Sequence, residues 1–217
     1  MDPDLELLQR WRDGDRRAGG QLFDRHFNSV RAFFALKIPE ADQDDLVQEV
    51  FARMVAARDR FEGRSTLRTY LLHIAQHVFY ETLTRLHRPN GTFDPLSESL
   101  AQVTGRSGSS ILAADELLQR LLDALQNIPI DKQDLITLHY FHELTYDELA
   151  EQSGVPLNTA KSRVGSARAT LLGEFNSRLG PDVEPWTGAQ LSQALKALRN
   201  VVLTSQPLPE GAQPASD

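Results

Sequence analysis

The sequence predicts an all-α protein: two small helical domains joined by a flexible linker, the second containing a helix-turn-helix, plus a C-terminal extension with one amphipathic helix. Three observations predict this class. Apolar residues recur at spacings of three and four through most of the 217 residues. Alternating strand patterns never extend beyond a few residues. Prolines, glycines and serines concentrate in residues 89–110 and prolines again after residue 180, which divides the helical pattern into blocks.

The composition is that of a globular protein, with 41% hydrophobic and 24% charged residues. The sequence has no cysteine, which excludes disulfides, thiolate nucleophiles and cysteine-based zinc or iron–sulfur sites. No apolar run approaches the roughly 18 residues that a membrane span needs. The acidic start lacks the pattern of a secretory leader. We therefore expect a cytoplasmic protein without a membrane span.

The net charge of −7 is unevenly distributed. Residues 51–90 contain 7 basic and 3 acidic side chains, and residues 156–180 contain 4 and 1. The stretch between these islands, residues 91–155, contains 3 basic and 11 acidic side chains. Two basic islands in an acidic chain indicate two separate contacts with one polyanion, with the acidic surfaces available to protein partners.

An amphipathic helix is predicted from Asp42 onward, with apolar residues on one side and acidic and amide residues on the other. A turn follows at residues 63–65, where Ser65 is the predicted N-cap of a second helix. This second helix should end near His87, before Pro89. The apolar stripes are Leu46, Val47, Val50, Phe51, Met54 and Val55 on the first helix, and Leu67, Leu71, Ile74, Ala75 and Val78 on the second.

Residues 89–110 are the predicted linker. They open with Pro, Asn and Gly, continue with many Ser, Thr and Gly residues, and contain few large apolar side chains. A segment of this composition is poorly ordered unless a partner holds it. The linker separates a first domain, residues 1–88, from a second, residues 111–180.

In the second domain, Asp131 and Thr145 are predicted N-caps, and Thr145 forms a capping box with Glu148. The extension, residues 181–217, should contain a last helix at about 187–203 that opens on a capping box from Thr187 to Gln190. Its apolar stripe must be buried somewhere. Packing on the preceding domain, with Trp186 as a plug, is the simpler expectation, and a regulatory contact is the alternative.

The most informative segment is residues 144–168, which has the pattern of a helix-turn-helix. A short helix at 146–152 precedes Gly154 in the turn, and a second helix opens at Pro156. Ala150 supplies the small residue needed where the two helices cross. The second helix directs one set of side chains inward: Leu157, Ala160, Val164, Ala167 and Leu171.

The outward side of that second helix is rich in hydrogen-bond donors, and no acidic residue lies between 156 and 173. Such a face can meet phosphates and the acceptor edges of bases in a major groove. A solvated helix pair in an ordinary bundle is the alternative. The outward residues are Asn158, Thr159, Lys161, Ser162, Arg163, Ser166 and Arg168.

These residues carry a resemblance to a known family. Residues 128–175, with the motifs at 144–150 and 156–163, resemble the promoter-reading C-terminal domain of bacterial extracytoplasmic-function (ECF, group 4) sigma factors of the sigma-70 family. Residues 44–51 resemble the family's helix that docks on the polymerase clamp, and residues 61–75 resemble its melting and minus-ten segment. The resemblance covers about residues 5–88 and 111–179 in family order, whereas Tyr70, His77, Asn158 and Ala160 depart from the family's usual residues.

The resemblance implies a sigma factor that binds core RNA polymerase and directs promoter-specific initiation, without catalysis and without a cofactor or metal. It also implies an anti-sigma factor as a further partner, and action as a monomer within the holoenzyme. The implied core-polymerase-binding residues are Asp44, Asp45, Leu46, Gln48, Glu49 and Phe51. The implied minus-ten residues are Arg60, Phe61, Arg64, Ser65, Arg68, Tyr70, His73, His77 and Arg85. The implied minus-thirty-five residues are Leu157, Asn158, Thr159, Lys161, Ser162, Arg163, Ser166 and Arg168.

Two rival functions remain at the level of sequence. A stand-alone helix-turn-helix regulator would explain residues 128–175 equally well, but it would leave the acidic helix at 44–51 and the arginine cluster at 58–68 without a role. A metalloenzyme is the second rival, since His73, His77 and Glu81 fall four apart on one helix and His139 and His142 three apart. Arg85 continues the first of these rows and would repel a cation.

Overall fold

The structure is a computed structural model that describes residues 2–87, 93–104 and 116–204. In these ranges the regular secondary structure is helical apart from one isolated bridge between Ser99 and Pro129, so the predicted all-α class is confirmed. The described residues form two compact units, a first unit up to Phe79 and a second unit from Tyr80 to Thr204. The sequence prediction places its domain border at residue 88 instead, inside the segment 88–92 that lies outside the described residues.

The first unit contains α1 (Pro3–Arg12), α2 (Arg16–Ala35), α3 (Glu40–Ala57), a 3₁₀ turn (Arg58–Arg60) and α4 (Leu67–His87) as far as Phe79. Aspartates cap the first two helices. The Asp2 carboxylate accepts from the backbone N–H of Asp4 at 2.9 Å, and the Asp15 carboxylate accepts from that of Arg17 at 3.0 Å. These caps fix where α1 and α2 begin.

Aromatic rings form the centre of the first unit. Phe33 and Phe34 of α2 and Phe79 of α4 are fully buried, and the ring of Phe33 meets each of the other two edge-on. The predicted apolar stripe of α3 is buried through Met54, but the prediction for Val55 is wrong because half of its surface is exposed. The stripe therefore ends before the last turn of α3.

The N-cap of α4 differs from the prediction by one residue. The Thr66 hydroxyl, rather than that of Ser65, accepts from the backbone N–H of Thr69 at 3.1 Å, and the Thr66 carbonyl accepts from Tyr70. Ser and Thr are both good N-caps, so composition alone could not choose between adjacent residues. The end of the helix at His87 is as predicted.

The second unit continues with α5 (Leu100–Thr104), α6 (Glu116–Asn127), α7 (Ile130–Ile136), a π-turn (Thr137–Phe141), α8 (Tyr146–Ser153), α9 (Leu157–Ser177) and α10 (Gly188–Thr204). Its core is mostly aliphatic, with the rings of Phe141 and Phe175 also buried. Leu121, Leu122 and Leu125 of α6 are fully buried, as are Ala167 and Leu171 of α9. Helices α6 and α7 both pack against α9, which therefore lies on a broad apolar support.

Part of the predicted linker is docked on the second unit. The Glu98 carbonyl accepts from the N–H of Ile130 at 3.0 Å, and the Pro95 carbonyl accepts from the N–H of Asp131 at 3.1 Å. These bonds satisfy the first turn of α7, whose N-cap is Pro129. The prediction of Asp131 as the N-cap is therefore wrong, because backbone carbonyls take that role and Asp131 lies inside the helix. The rest of the predicted linker, apart from residues 93–104, lies outside the described residues.

The extension forms α10 where the sequence predicts a last helix. The Thr187 hydroxyl accepts from the N–H of Gln190, and the Gln190 side chain accepts from the N–H of Thr187 at 2.8 Å, so the predicted capping box is present. The α10 stripe packs on the second unit, with Leu191, Leu195 and Leu198 fully buried. Across the described ranges, no helix is long and apolar enough to cross a lipid bilayer.

Candidate nucleic-acid interface

Helices α8 and α9 form the predicted helix-turn-helix. Gly154 follows α8 in the left-handed region, with φ 62° and ψ 32°, a conformation that glycine adopts without steric cost. The N–H of Val155 donates to the Ala150 carbonyl at 3.0 Å and closes the turn. Ala150 is buried beside α9, as the close crossing of the two helices requires.

The start of α8 is fixed from two sides. The capping box between Thr145 and Glu148 is present in both directions, at 3.2 Å to the Thr145 hydroxyl and 2.8 Å to the Glu148 carboxylate. The His139 ring stacks on the Tyr146 ring, with centroids 4.7 Å apart, and its Nδ1 bonds to the Leu144 carbonyl at 2.9 Å. His139 therefore supports α8, a role that the sequence did not reveal.

Helix α9 separates its buried and exposed faces as predicted. Ala160, Val164, Ala167 and Leu171 are buried, whereas Leu157 is half-buried at the first turn. From residue 157 to residue 168 each ionisable side chain is basic. Of the predicted contact residues, Leu157 and Thr159 are half-buried and the others are exposed: Asn158, Lys161, Ser162, Arg163, Ser166 and Arg168.

Helix α7 modifies the electrostatics of this face. Burial raises the pKa of the Asp131 carboxyl, and the backbone N–H of Lys132, the Lys132 ammonium and the Arg163 guanidinium oppose that shift. The Lys132 ammonium in turn donates to the Thr170 hydroxyl of α9 at 2.9 Å. Arg163 thus interacts with a carboxylate of its own chain, whereas nothing in the sequence spacing links residue 131 to residue 163.

In the first unit, the turn before α4 is held by an arginine that the sequence reasoning missed. Arg12 of α1 donates from Nε to the Arg58 carbonyl at 3.0 Å and from Nη2 to the Phe61 carbonyl at 2.6 Å. Phe61 is buried, and its ring lies 4.8 Å from that of Tyr70. Phe61 is therefore a support for the half-buried Tyr70 rather than an exposed stacking platform.

The predicted minus-ten arginines have different environments. Arg60 is exposed and Arg64 is 80% exposed in an ion pair with Glu62 at 2.6 Å. Arg68 is half-buried, and its Nε donates to the Ser29 hydroxyl at 3.3 Å. Ser65 is half-buried in the turn. Together with Phe61 and Tyr70, six of the predicted minus-ten residues thus lie in the turn and the first part of α4.

Two of the predicted minus-ten residues, His73 and His77, lie further along α4. The Nε2 atoms of His73 and His77 lie 3.0 Å apart, and burial together with the neighbouring His77 lowers the pKa of His73. Arg85, which lies in the part of α4 that belongs to the second unit, donates to the Thr82 hydroxyl at 3.1 Å. Within the described ranges no three His, Asp or Glu side chains form a group that could hold a metal ion.

The acidic face of α3 is exposed, as expected of a protein-binding surface. Asp45, Gln48 and Glu49 are exposed, and Glu49 pairs with Arg53 at 2.7 Å. Asp44 pairs with the buried Arg31 of α2 at 2.5 Å. Leu46 and Phe51, also predicted for this surface, are buried behind it, where the Phe51 ring lies 4.4 Å from that of Phe23.

This arrangement defines a class of protein: a DNA-binding factor with a helix-turn-helix and a separate helical unit that carries basic and acidic surfaces. Residues 22–88 match the family model for sigma-70 region 2, and residues 118–171 match the model for sigma-70 region 4. The chain belongs to the sigma-70 family, in its extracytoplasmic-function group. It is a sigma factor that directs transcription initiation.

Relatives of established identity agree with this assignment. The chain is 27% identical over 175 residues to the ECF RNA polymerase sigma-E factor of Escherichia coli (strain K12), covering 77% of this chain and 92% of the relative. It is 28% identical over 172 residues to that of Haemophilus influenzae, covering 76% and 91%. These matches extend over both units.

Two solved structures share the fold. CnrH in complex with the cytosolic domain of CnrY aligns with a TM-score of 0.54 at 24% identity, covering 82% of this chain and 100% of CnrH. The sigma factor RpoE of Bartonella quintana, in complex with the anti-sigma factor NepR, aligns with a TM-score of 0.56 at 24% identity, covering 74% and 98%.

Proposed function

We propose that this sigma factor acts in the cytoplasm through three surfaces and by binding alone, without catalysing a reaction. In this proposal the acidic face of α3 docks on core RNA polymerase, the start of α4 with its preceding turn binds the minus-ten element, and α9 binds the minus-thirty-five element. The observation that carries the proposal is the α9 face, where every exposed ionisable side chain up to Arg168 is basic.

The chemistry of α9 suits a major groove. Lys161 and Arg168 are exposed cations that can pair with phosphates, and Asn158 near the helix start can hydrogen-bond base edges. The first turn of α9 has no acidic residue and follows Pro156, so its positive dipole end faces the same region. Phosphate contacts would fix the position of the helix, and base-edge contacts would supply sequence preference.

The chemistry of α4 suits a single strand. Exposed guanidinium groups at Arg60 and Arg64 can hold the backbone, and the half-buried Tyr70 ring offers a face to an unstacked base. Extracting one base from a duplex costs a few kcal/mol, roughly what one stacking contact returns. The His73–His77 pair extends this polar surface along the helix. The promoter would therefore be opened by capture of extruded bases rather than by a chemical step.

The α3 surface suits a protein partner. Asp45, Gln48 and Glu49 lie one helical turn apart, so one basic or amide-rich surface can engage all three. The apolar residues behind them are buried in the first unit and keep the helix rigid. The rim position of these charges favours rapid and specific association more than it adds to affinity.

An anti-sigma factor is a further proposed partner. It is supported by the two structures of similar fold, one of which is RpoE in complex with the anti-sigma factor NepR and the other CnrH in complex with the cytosolic domain of CnrY. Such a partner would control the availability of the sigma factor for core polymerase. Co-purification from cells with and without the inducing condition would identify it.

Run-off transcription with purified core polymerase and a genomic library tests the central proposal. Promoter-specific transcripts are expected only when this chain is added to core polymerase. As a control, DNA binding by the chain without polymerase is measured at physiological salt. Tight, sequence-specific binding by the free chain together with failure to bind core polymerase would support the stand-alone regulator instead.

A further inference from the structure

Helix α10 lies beyond the region 4 match, which ends at residue 171, yet it is built into the second unit. Asn176 of α9 exchanges two hydrogen bonds with the backbone of Trp186, at 2.8 and 3.0 Å, and the Trp186 ring packs 4.4 Å from that of Phe175. The buried stripe of α10 continues this contact. The helix therefore has a fixed position next to the helix-turn-helix.

One side chain of α10 reaches the segment that leads into α8. The Nε of Arg199 donates to the Phe141 carbonyl at 3.0 Å, and its Nη2 donates to the Glu143 carboxylate at 2.7 Å. Phe141 is the last residue of the π-turn, whose terminal carbonyls have no partner within the helix itself. Arg199 thus supplies a cationic cap to this helix end, across 58 residues of sequence.

Glu143 has an unusual backbone conformation. Its φ of 55° lies in the left-handed region, and it is the one non-glycine residue with positive φ in the described part of the chain. Helices commonly end on a residue of this conformation, but the residue is usually glycine because a Cβ atom is disfavoured there. A strained residue of this kind persists only where surrounding contacts hold it.

The direction in which the chain leaves Glu143 sets the start of α8. The next residue, Leu144, donates its N–H to the Leu138 carbonyl at 3.0 Å, and Thr145 then caps α8. A change of φ at residue 143 would therefore rotate the entry into α8. Because α6 and α7 support α9 independently, such a rotation would change how α8 packs on α9, and with it the geometry of the helix-turn-helix.

We propose that Arg199 is a positioning residue for promoter recognition: from α10 it holds Glu143 in its left-handed conformation and so fixes the angle at which the helix-turn-helix is presented. This inference rests on the proposed binding of α9 to the minus-thirty-five element. It assigns to the extension a role in DNA affinity that acts through the backbone of residue 143 and requires no contact between α10 and DNA.

The residue at position 143 is decisive for this role. In Glu143→Ala the carboxylate is removed and the Cβ atom remains, so the backbone loses a restraint and keeps its strain. In Glu143→Gly the left-handed conformation becomes favourable without any restraint. Arg199→Ala should therefore be rescued by Glu143→Gly, although the double variant has neither partner of the ion pair.

The experiment measures transcription by the holoenzyme from a promoter with its minus-thirty-five element intact and from the same promoter with that element scrambled. The ratio of the two should fall about fivefold or more in Arg199→Ala and in Glu143→Ala, the usual size of coupling between linked sites. Glu143→Gly and the double variant Glu143→Gly/Arg199→Ala should have the same ratio as the wild-type protein. A double variant as weak as Arg199→Ala, or an unchanged ratio in Arg199→Ala, would overturn the proposal.

Two further variants distinguish the positioning role of Arg199 from the proposed binding of α9 to the minus-thirty-five element. Arg178→Ala removes an arginine of the second unit that pairs only locally with Glu174 at 2.7 Å, and it should leave the ratio unchanged. Asn158→Ala removes the side chain proposed to bond base edges and should lower the ratio if α9 reads this element. An effect of Asn158→Ala without an effect of Arg199→Ala would remove the positioning role alone, whereas no effect of Asn158→Ala would remove the α9 contact and the positioning role with it. If Arg199→Ala does not fold, as judged by circular dichroism, Glu143→Ala and Glu143→Gly still decide the outcome.

Discussion

The proposed contact surfaces of the two units hold their charges differently. In the first unit most of the charged groups have internal partners: Asp44 with Arg31, Glu49 with Arg53 and Arg64 with Glu62. On α9, within the described ranges, neither Lys161 nor Arg168 forms an ion pair with the rest of the chain. The first unit must therefore exchange internal partners for external ones, whereas α9 presents cations that are ready for a polyanion.

This difference sets how each contact should respond to mutation and to salt. Exposed ion pairs contribute about 1 kcal/mol or less, so their exchange for a partner's charges costs the first unit little. Cations that neutralise phosphates release counterions, so the contact made by α9 should depend steeply on salt. The first unit is thus suited to a contact with a protein whose charges replace its internal ion pairs. Helix α9 is suited to a contact with DNA that is driven by the release of counterions from the phosphates.

Reversal of charge on the α3 face should have the largest effect. Asp45→Lys/Glu49→Lys should weaken core-polymerase binding about a hundredfold or more, because two exposed carboxylates become cations facing a surface that favours acids. Affinity for fluorescent core polymerase measures this loss. The double variant Glu6→Lys/Asp24→Lys makes the same charge change at exposed sites on α1 and α2 and should bind normally. Loss of folding in the α3 variant, seen by circular dichroism, would show that its carboxylates are structural.

Removal of two cations from α9 should have the next largest effect. Lys161→Ala/Arg168→Ala should reduce holoenzyme affinity for promoter DNA about tenfold at moderate salt. The slope of log affinity against log salt should flatten by about 0.9 for each phosphate that the variant no longer neutralises. Filter binding at four salt concentrations measures both quantities. A lower affinity with an unchanged slope would mean that these residues do not contact phosphates.

The two units should also respond oppositely to acid. In the first unit, burial lowers the pKa of His26 below its ordinary 6.5, against the opposing effect of Asp4, to which its Nε2 bonds at 2.7 Å. The unfolded chain then binds more protons, so the contribution of His26 to stability is present above pH 6.5 and is lost as pH falls toward its lowered pKa. In the second unit, the raised pKa of Asp131 contributes stability below pH 3.8 that is lost as pH rises through that pKa.

The two tryptophans allow each unit to be followed separately, since Trp11 lies in the first and Trp186 in the second. Thermal unfolding is followed by Trp11 fluorescence in a Trp186→Phe background and by Trp186 fluorescence in a Trp11→Phe background, from pH 4 to pH 7.5. His26→Gln should flatten the acid-side loss in the first unit, and Asp131→Asn should flatten the opposite trend in the second. Parallel pH profiles for the two tryptophans would contradict the assignment.

The ion pair between Arg31 and Asp44 should have the smallest effect. Arg31 is buried but Asp44 is 65% exposed, so solvent screens the pair and its coupling energy should be about 1 kcal/mol or less. A double-mutant cycle with Arg31→Met and Asp44→Asn, measured by urea unfolding, gives this coupling. A coupling of several kcal/mol would mean that the first unit does not readily release Asp44 to a partner.

Local signals in the sequence predicted a large part of the fold. The capping boxes at Thr145 and Thr187 are formed by residues within one helical turn of each other. Gly154 adopts the left-handed conformation that the turn between α8 and α9 requires. The buried face of α9 follows from its spacing. Each of these features depends on residues close in sequence, so helical periodicity and capping preferences suffice to locate them.

Features built from distant residues could not be predicted. The carbonyls that cap α7 come from residues 95 and 98, Arg12 holds the turn at 58–61, and Arg199 reaches Glu143. These contacts depend on which surfaces meet in three dimensions, and no spacing rule encodes that. The wrong choice of Ser65 over Thr66 has another cause, since two good N-cap residues stand side by side.

The docking of residues 95–98 on the start of α7 has a consequence for divergence among relatives. Both bonds are made by backbone groups, the carbonyls of Pro95 and Glu98 and the amides of Asp131 and Ile130. Every residue has a backbone carbonyl, and every residue except proline has a backbone N–H. The side chains of residues 95–98 can therefore change between species while the segment stays attached to α7. Only a proline at position 130 or 131 would abolish a donor directly. The attachment should therefore survive sequence drift that erases every recognisable motif in the segment.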